Sequence, residues 1–351
     1  MERSAPLPGR GTTQAPENRY ERLHVDPDPD VEGGSPLPTL FYRDTSRSAL
    51  AENDSPDVPF RFSLNPYRGC EHGCIYCYAR PTHEYLSFNA GLDFERRIMV
   101  KHDAPELLRR AFRSPRWQPE MIALSGNTDC YQPVERRLRL TRRCLEVCVE
   151  FRNPVGIVTK SALVARDADL LAELAACGAV QAFVSVTSVD GELARRMEPR
   201  AARPDRRLEA IRALSAQGVP VGVMVAPVIP GLNDEEIPRI LHAAADAGAR
   251  SASWVLLRLP QPVDALFDQW LAEHFPERRT RVLNRLRECR GGQLYDPRFG
   301  TRMRGAGVYA EQIGALFTTT ARRYGLDRLL PPPTTAAFRR PPQAGEQLRL
   351  Y

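Results

Sequence analysis

Residues 65–77 of this 351-residue chain read NPYRGCEHGCIYC. Three cysteines, Cys70, Cys74 and Cys77, lie within eight residues at the spacing C-x3-C-x2-C, and two glycines accompany them. Thiolates this close together on a loop can converge on one face, as a soft metal ion or an iron–sulfur cluster requires. The stretch directly follows an apolar run that we predict to be the first strand of a sheet, so the motif also indicates where the loop lies in the fold.

Other uses of the three cysteines fit the pattern less well. A disulfide framework leaves one of three thiols unpaired, and eight cysteines in a chain of this length are far too few for a disulfide-stabilised domain. A structural zinc site normally has four protein ligands. His72 is a candidate fourth ligand, although its place between two of the cysteines would strain the loop. Three buried cysteines without a ligand are the simplest alternative.

The chain on either side of this loop alternates short β-branched runs with amphipathic helices. The predicted strands are Phe60–Leu64, Met121–Ser125, Val155–Thr159, Ala182–Thr187, Val219–Ala226 and Ala252–Leu257. The predicted helices between them are Ala104–Phe112, Leu138–Phe151, Ala162–Ala176, Arg206–Gln217 and Glu235–Ala247. Repeated strand–helix alternation is typical of a parallel sheet covered by helices. About six units predict an α/β fold, a partial (β/α)6 TIM-type barrel with its chemistry at the carboxyl ends of the strands.

Composition divides the chain into four parts. Residues 1–58 are rich in proline, acids and glycine and are predicted to form a disordered tail, because such a segment buries too little apolar surface to order itself. Residues 59–260 form the predicted barrel, and residues 261–330 a mostly helical C-terminal extension. Residues 331–351 begin with three prolines and are predicted to be a second disordered tail.

Charge and hydropathy restrict the class of protein. Lysine and arginine total 49 against 43 acidic residues, which gives a net charge of +6, and Lys101 and Lys160 are the only lysines. This balance is compatible with a nucleic-acid partner but favours an ordinary solvated surface. The chain has no apolar run long enough for a transmembrane helix and no apolar stretch behind Met1. We therefore expect a cytoplasmic protein with no membrane partner.

With Tyr76 just before the third cysteine, C-x3-C-x2-C resembles the motif of the radical S-adenosylmethionine (SAM) superfamily. The resemblance extends over residues 59–260. It implies a [4Fe-4S] cluster on Cys70, Cys74 and Cys77, with SAM bound to the iron that lacks a protein ligand. It also implies reductive cleavage of SAM to a 5′-deoxyadenosyl radical, which abstracts hydrogen from a substrate, and a reductant such as flavodoxin or ferredoxin.

The same resemblance assigns SAM contacts to polar residues at the predicted strand ends. Thr128 and Asp129 follow the second strand and are expected to bind the SAM amino group, and Lys160 follows the third and is expected to meet the carboxylate. Ser185 and Thr187 share one face of the fourth strand and are expected at the ribose. Further expected contacts are Tyr76, Glu198 and Arg200. Turn caps, a surface lysine and an ordinary salt bridge are the alternative explanations.

Within the superfamily, the Thr-Asp, Thr-Lys and Ala-Pro strand ends resemble spore photoproduct lyase and the relatives labelled DNA repair photolyases. In spore photoproduct lyase a cysteine three positions before the Asp returns a hydrogen atom to the product radical. This sequence has Gly126 at that position. Cys130, one residue after Asp129, is the candidate replacement, and a plain buried thiol is the alternative. The sequence thus predicts a lyase or related activity on an unknown substrate, for which a nucleic-acid base is one candidate.

Residues 291–305 form a glycine-rich segment that is basic and aromatic. Arg298, Arg302 and Arg304 with two nearby rings suit a nucleic acid, and packing against the barrel is an equal alternative. The competing function for the whole chain is a non-catalytic iron–sulfur or zinc protein that binds nucleic acid or a protein partner. Polar residues at four strand ends, with no obvious fourth ligand near the cysteines, favour the enzyme.

Overall fold

The computed structural model describes residues 9–12, 16 and 38–342. Their strands are β1 (Leu40–Arg43), β2 (Leu50–Glu52), β3 (Phe62–Leu64), β4 (Tyr67–Arg68), β5 (Arg97–Val100), β6 (Ile122–Leu124), β7 (Val155–Thr159), β8 (Val180–Ser185), β9 (Val221–Val228) and β10 (Ala252–Leu256). Seven strands form the main sheet in the order β10-β9-β8-β7-β6-β3-β2, and β1, β5 and β4 form a small sheet. All neighbours in the main sheet are parallel except β2 and β3. The six parallel strands confirm the predicted α/β partial barrel.

Helices connect successive strands of the main sheet. The α-helices are α1 (Leu92–Arg96), α2 (Ala104–Arg113), α3 (Glu135–Leu138), α4 (Leu140–Phe151), α5 (Ala168–Ala176), α6 (Gly191–Met197), α7 (Pro204–Ala216), α8 (Ile237–Asp246), α9 (Val263–His274), α10 (Pro276–Glu288), α11 (Thr301–Arg304) and α12 (Val308–Arg323). Short 3-10 helices cover Arg80–Leu86, Ala162–Asp167 and Asp234–Glu236. Every predicted strand and helix overlaps an observed one. Four of these helices lie within residues 261–330, where sequence predicted a helical extension.

The parallel strands are apolar along nearly their whole length because helices cover the sheet. In β7, four of five residues are buried, and β8 and β9 show a similar pattern. Parallel sheets buried on both faces have such near-continuous apolar runs. On α4 the side chains of Cys144, Cys148 and Phe151 are fully buried in the same core, so these two cysteines serve packing. No helix among the described residues is long and apolar enough to cross a membrane.

The ends of the chain depart from the predicted disorder. Residues 38–58 contain β1 and β2, and β2 adds an antiparallel edge to the main sheet through β3. At the other end, Phe338 packs against Phe112 and Phe151. Backbone pairing, the aromatic contacts of Phe338 and hydrogen bonds from Arg339 and Arg340 order these segments despite their proline content. The prediction of disordered tails is therefore corrected for residues 38–58 and 331–342. Residues 1–8, 13–15, 17–37 and 343–351 lie outside the described residues.

Candidate active site

The loop that carries the three cysteines lies at the carboxyl end of β3 and is held largely through its backbone. The amide of Cys70 donates to the carbonyl of Phe94 at 2.9 Å. Gly69 and Gly73 have φ angles of +81° and +67°, which glycine adopts without the steric cost of a Cβ. The two glycines therefore let the chain reverse direction twice and bring the cysteines of the motif to one loop.

The three thiols share a buried environment. Cys70 and Cys74 are buried and Cys77 is half-buried. Burial raises the pKa of each thiol, and the two other thiols raise the pKa of Cys74 further. Three thiolates together are therefore stable only beside a compensating cation. Sulfur donors in this setting fit an iron–sulfur cluster.

The geometry of the described residues helps to decide whether the cysteine loop suits an iron–sulfur cluster or a single metal ion. No three His, Cys, Asp or Glu side chains in that part of the chain are arranged around one metal ion. A four-iron cluster does not need that arrangement, because each thiolate binds a different iron atom. The donor set thus fits a cluster better than a structural zinc ion. His72, the candidate fourth ligand, is buried with its Nδ1 at 3.5 Å from a carboxylate oxygen of Asp129.

A buried ion pair supports the loop from behind. Arg80 and Glu95 are both fully buried and form a salt bridge. Arg80 also donates to the carbonyl of Cys74 from Nε at 3.1 Å and from Nη2 at 2.8 Å, and to the carbonyl of Gly91 at 2.9 Å. Arg80 therefore fixes the carbonyl of Cys74, one of the three motif cysteines. Sequence reasoning missed it, because nothing distinguishes one arginine in so arginine-rich a chain.

Asp129 lies between the cysteine loop and the end of β7. Its carboxylate accepts from Thr159 Oγ1 and from the amide of Lys160, both at 2.8 Å. Its carboxylate also lies 3.5 Å from Nδ1 of His72, between the first two motif cysteines. The structure thus places Asp129 at the cysteine loop, where its acceptors can meet a cationic group.

Thr128 has a different position from its neighbour. Its Oγ1 donates to the carbonyl of Tyr67 at 2.5 Å, and the side chain is buried. Gln132, which sequence reasoning missed, accepts from the amide of Glu71 at 2.9 Å and donates to the carbonyl of Gly69 at 3.1 Å. Both side chains bind the cysteine loop to the segment after β6. This arrangement favours a structural role for Thr128 over the expected contact with SAM.

Five of the residues predicted to contact SAM meet in one buried network. They are Tyr76, Lys160, Ser185, Thr187 and Glu198. Lys160 Nζ donates to Ser185 Oγ at 2.7 Å and lies 3.8 Å from Glu198 Oε1. Thr187 Oγ1 donates to Glu198 Oε1 at 2.7 Å, and the Tyr76 hydroxyl donates to the same carboxylate. The ammonium of Lys160 lies 5.8 Å from the centre of the Tyr76 ring. The network joins a cation, a carboxylate and hydroxyl groups beside the cysteine loop.

Arg207 on α7 completes the charge balance of this network and was not predicted. It is fully buried, forms a salt bridge to Glu198 and donates to the carbonyl of Ser185 at 3.1 Å. Burial by itself would raise the pKa of Glu198, but Arg207 and Lys160 outweigh burial and hold that pKa at about 2. Glu198 is therefore a carboxylate at neutral pH. Sequence reasoning missed Arg207, because its partner Glu198 follows α6 and the sequence does not show that contact.

Arg200 contacts the cysteine loop but does not belong to the network around Lys160. Its amide donates to the carbonyl of His72 at 3.1 Å, and its guanidinium donates to Glu71 at 2.9 Å and to Thr39 Oγ1 at 3.2 Å. An ordinary ion pair with Glu71 thus accounts for its side chain. The structure does not bring Arg200 to the other predicted SAM contacts.

A short N-terminal segment, residues 9–12, packs on the same loop. The amide of Gly11 donates to Glu95 at 3.0 Å. A Cβ atom at Gly11 would lie 1.7 Å from the carbonyl oxygen of Gly73, so only glycine fits this approach. The part of the chain assigned to a tail therefore covers part of the cysteine loop.

Cys130 belongs to the main hydrophobic core, whereas the three motif cysteines belong to two other buried groups. Its amide donates to Ser125 Oγ at 2.9 Å, and its carbonyl accepts from Thr141 Oγ1 at 2.6 Å. Burial raises the pKa of Cys130 well above its usual value. These surroundings favour a buried packing thiol over the expected hydrogen-atom donor.

The glycine-rich segment 291–305 lies across the open edge of the barrel, between β10 and β2. Arg302 forms a salt bridge to Asp57, and the amide of Gly300 donates to Asp57 at 2.7 Å. Arg298 pairs with Asp296 at 2.9 Å, and the Arg304 guanidinium lies 4.6 Å from the centre of the Trp254 ring. All three arginines thus have partners within the chain. These contacts favour packing, one of the two alternatives, over the binding of nucleic-acid phosphates.

An aromatic side chain and a cation remain at the barrel mouth. Tyr78, directly after the motif, is 44% exposed, and its hydroxyl donates to the carbonyl of Gly126 at 3.1 Å. The guanidinium of Arg258 lies 5.1 Å from the centre of the Tyr78 ring. Neither residue was predicted, although the place of Tyr78 beside the third cysteine was a usable signal.

Fold and site together define a parallel β/α partial barrel with a three-cysteine loop at its carboxyl edge. Residues 64–244 match the sequence model of the radical SAM superfamily. An uncharacterised protein of Mycobacterium tuberculosis is 38% identical over 304 residues, which are 85% of this chain and 86% of that protein. An uncharacterised protein of Methanocaldococcus jannaschii is 28% identical over 176 residues, 50% of this chain and 63% of its own. The chain belongs to the radical SAM superfamily.

Solved structures of spore photoproduct lyase have the same fold. The lyase complexed with dinucleoside spore photoproduct superposes with a TM-score of 0.55 at 17% identity, covering 81% of this chain and 78% of that chain. A form with bound AdoMet and dinucleoside spore photoproduct gives a TM-score of 0.53 at 16% identity, covering 81% and 77%. Identity this low establishes a shared fold. The superfamily implies an enzyme with an iron–sulfur cluster and SAM.

Proposed function

We propose that Cys70, Cys74 and Cys77 hold a [4Fe-4S] cluster whose fourth iron binds SAM. Three buried or half-buried thiols on one short loop, with no fourth ligand assigned among the described residues, support this proposal, because an open coordination position distinguishes a catalytic metal from a structural one. When bound, the cluster and SAM supply a 5′-deoxyadenosyl radical that abstracts a hydrogen atom from substrate. The chain supplies the geometry and the charges that hold SAM in place.

The buried network around Glu198 supports the proposed SAM site. Lys160 offers an ammonium to a carboxylate, and Asp129 offers acceptors to an ammonium group. Ser185 and Thr187 offer hydroxyls on the same face. SAM carries an amino group, a carboxylate and a ribose, so this set of donors and acceptors complements it. Tyr76 adds its backbone and its ring at the barrel side of the loop.

We further propose that the substrate is a nucleic-acid base. The paired Tyr78 ring and Arg258 guanidinium at the barrel mouth would bind it. Aromatic rings and arginine planes bind unpaired bases by stacking. The fold shared with spore photoproduct lyase bound to its dinucleoside supports this choice. The buried position of Cys130 speaks against thymine-dimer repair by the known hydrogen-return route. A lyase-related activity that needs no such cysteine is the reaction we propose.

Anaerobic reconstitution with iron and sulfide, reduction, addition of SAM and quantification of 5′-deoxyadenosine test the proposal. The wild type is expected to form product, Cys77→Ala none, and Cys177→Ala, which changes a cysteine remote from the motif, the wild-type amount. Retention of zinc in place of iron would overturn the proposal that the protein is a radical SAM enzyme. A fully loaded cluster that yields no product with SAM, alone or with single-stranded oligonucleotides, would leave a structural or electron-carrying site as the conclusion.

A further inference from the structure

The strand β1 exposes apolar side chains on both of its faces. Leu40, Phe41 and Tyr42 are 37%, 39% and 37% exposed, at three consecutive positions. Among the described residues β1 pairs with β5 alone, so it is an edge strand of the small sheet. Three neighbouring exposed large apolar side chains are uncommon on a free surface and typically mark a binding site.

Arginines surround this apolar strand. The guanidinium of Arg137, on α3, lies 5.2 Å from the centre of the Phe41 ring. Four exposed arginines form no ion pair within the described part of the chain. They are Arg47, four residues after β1, and Arg136, Arg137 and Arg139, on or directly after α3. Arg43 and Arg68 are also exposed, and each has one carboxylate partner. Exposed aromatic residues with arginine, and without lysine, are the composition of protein–protein interfaces.

The surface lies directly behind the cysteine loop. In the small sheet β1 and β4 are both neighbours of β5, so at one strand spacing each they lie about 10 Å apart. β4 ends two residues before Cys70, and the amide of Cys70 binds the carbonyl of Phe94, three residues before β5 begins. Thr39, next to β1, accepts from Arg200, whose amide binds the loop. A molecule on β1 is thus within electron-transfer range of the proposed cluster.

The barrel mouth is a separate surface. Tyr78 and Arg258 lie near the carboxyl ends of the main-sheet strands β6 and β10, whereas β1 belongs to the separate small sheet. Binding at β1 therefore leaves the mouth accessible to substrate. This separation suits a partner that is needed together with substrate and argues against β1 as the substrate site itself.

We propose that β1 and the arginines of α3 form the docking surface for an acidic one-electron carrier protein. The inference rests on the proposed function, since only a reducible cluster gives such a carrier a role. Unpaired arginines around an apolar centre complement a carrier whose redox group is surrounded by carboxylates. The carrier transfers one electron to the cluster and leaves oxidised by one electron, and no other reactant is required.

Stopped-flow reduction of the reconstituted holoenzyme by reduced flavodoxin tests this surface. The Arg136→Glu/Arg137→Glu variant is expected to be reduced about tenfold or more slowly than wild type at low salt, because electrostatic steering changes association rates by that amount or more. The control Arg212→Glu/Arg250→Glu carries the same charge change on exposed positions at the other end of the barrel and is expected to behave as wild type. Phe41→Ala is expected to slow reduction by flavodoxin and to leave the salt dependence of that rate unchanged.

Dithionite separates this inference from the proposed function. With dithionite all variants are expected to form 5′-deoxyadenosine at the wild-type rate, because a small reductant needs no docking surface. Equal flavodoxin rates for the two double variants would overturn the docking surface alone. Failure of wild type with dithionite would overturn both the function and the inference.

Two further outcomes would assign the surface to another occupant. Loss of single-stranded DNA binding in Arg136→Glu/Arg137→Glu, with unchanged flavodoxin rates, would make it a nucleic-acid surface. The acidic stretch at positions 26–32 of the same chain is the other competitor. Flavodoxin would then reduce the wild type slowly and a variant with a neutral stretch faster, which would show that this stretch covers β1. The neutralised residues are Asp26, Asp28, Asp30 and Glu32.

Discussion

At the scale of single residues, the oppositely charged pair Lys160 and Glu198 lies at the centre of the candidate site. Lys160 is one of two lysines in the chain, and its ammonium has Ser185 and Glu198 as neighbours. A lysine that is not fully paired by carboxylates within the chain retains attraction for an anionic ligand group. Lys160 also donates to the carbonyl of Ala226 at 2.8 Å. Because Arg207 pairs with Glu198, the proposed function leads us to expect that Lys160, and not Glu198, exchanges partners when SAM binds.

Lys160→Met is expected to weaken SAM binding by about tenfold or more, because a hydrogen bond to a charged group contributes about 1.5–3 kcal/mol. The measurement is a SAM titration of the reconstituted protein, followed by the change in the cluster's electron paramagnetic resonance signal. Lys101→Met is the matched control, since Lys101 donates to the carbonyl of Ser48 at 3.2 Å, away from the site. Equal affinity in both variants would contradict the assignment of Lys160.

His83 gives a prediction for pH dependence. It is buried, its Nε2 lies 2.9 Å from the carbonyl of Arg97, and its Nδ1 has no hydrogen-bond partner among the residues that the structure describes. Burial lowers the pKa of His83 from 6.5 to about 4. The unfolded chain therefore binds a proton before the folded one does, so stability is full above pH 6.5 and falls as the pH drops toward 4.

The loss expected from His83 is about 3 kcal/mol, from the width of that interval at 1.36 kcal/mol per pH unit. Urea unfolding of the cluster-free protein at several pH values measures it. His83→Gln is expected to flatten the dependence between pH 6.5 and 4, and His242→Gln, at an exposed histidine, is expected to leave it unchanged. A wild-type curve that is flat in this interval would refute the prediction.

At the scale of elements, the cysteine loop depends on neighbours that are distant in sequence. Gln132 and Glu71 join it to the segment after β6, and the pair Arg80–Glu95 fixes it from behind. Loops with two glycines lose much conformational entropy on ordering. The supporting hydrogen bonds offset that loss and hold the cysteines in one arrangement before iron binds.

Arg80→Gln is expected to destabilise the protein by about 3–5 kcal/mol, because it leaves the buried carboxylate of Glu95 without its partner. It is also expected to lower the iron content after reconstitution, since the carbonyl of Cys74 loses two donors. Urea unfolding and iron analysis measure the two effects. Arg279→Gln breaks an exposed pair with Asp268 and is expected to cost about 1 kcal/mol or less. Comparable losses in both variants would contradict the role of Arg80.

At the scale of the whole molecule, the partial barrel is completed by segments outside the β/α repeat. The main sheet has free edges at β10 and β2. Residues 296–305 bridge them. Arg302 and Gly300 bind Asp57, and Arg290 donates both to the carbonyl of Arg302 at 2.8 Å and to the carbonyl of Leu257, next to β10, at 2.7 Å. The segment therefore protects strand edges that would otherwise expose backbone groups.

Arg302→Ala is expected to increase hydrogen exchange of the amides at 296–305 by about tenfold, because one charged hydrogen-bonded contact of about 1.5 kcal/mol holds the segment down. Mass spectrometry of exchanged peptides measures it. Arg298→Ala removes an arginine that pairs only within the segment and is expected to change exchange little. Unchanged protection in Arg302→Ala would show that other contacts dock the segment.

The repeating pattern, the cysteine spacing and the strand ends were all present in the sequence. Period-two and helical apolar patterns and motif spacing are local properties, so β7, for example, was predicted at its observed bounds. The resemblance to the radical SAM superfamily supplied the five residues of the network around Glu198, and the parallel arrangement of the strands brings the ends that carry Lys160, Ser185 and Thr187 to one edge. Only tertiary structure decided that Arg207 and Arg80 are buried partners, that Thr128 and Cys130 face the interior, and that β1 is ordered beside the cysteine loop. Those outcomes depend on contacts between residues far apart in the chain, which composition and local periodicity do not encode.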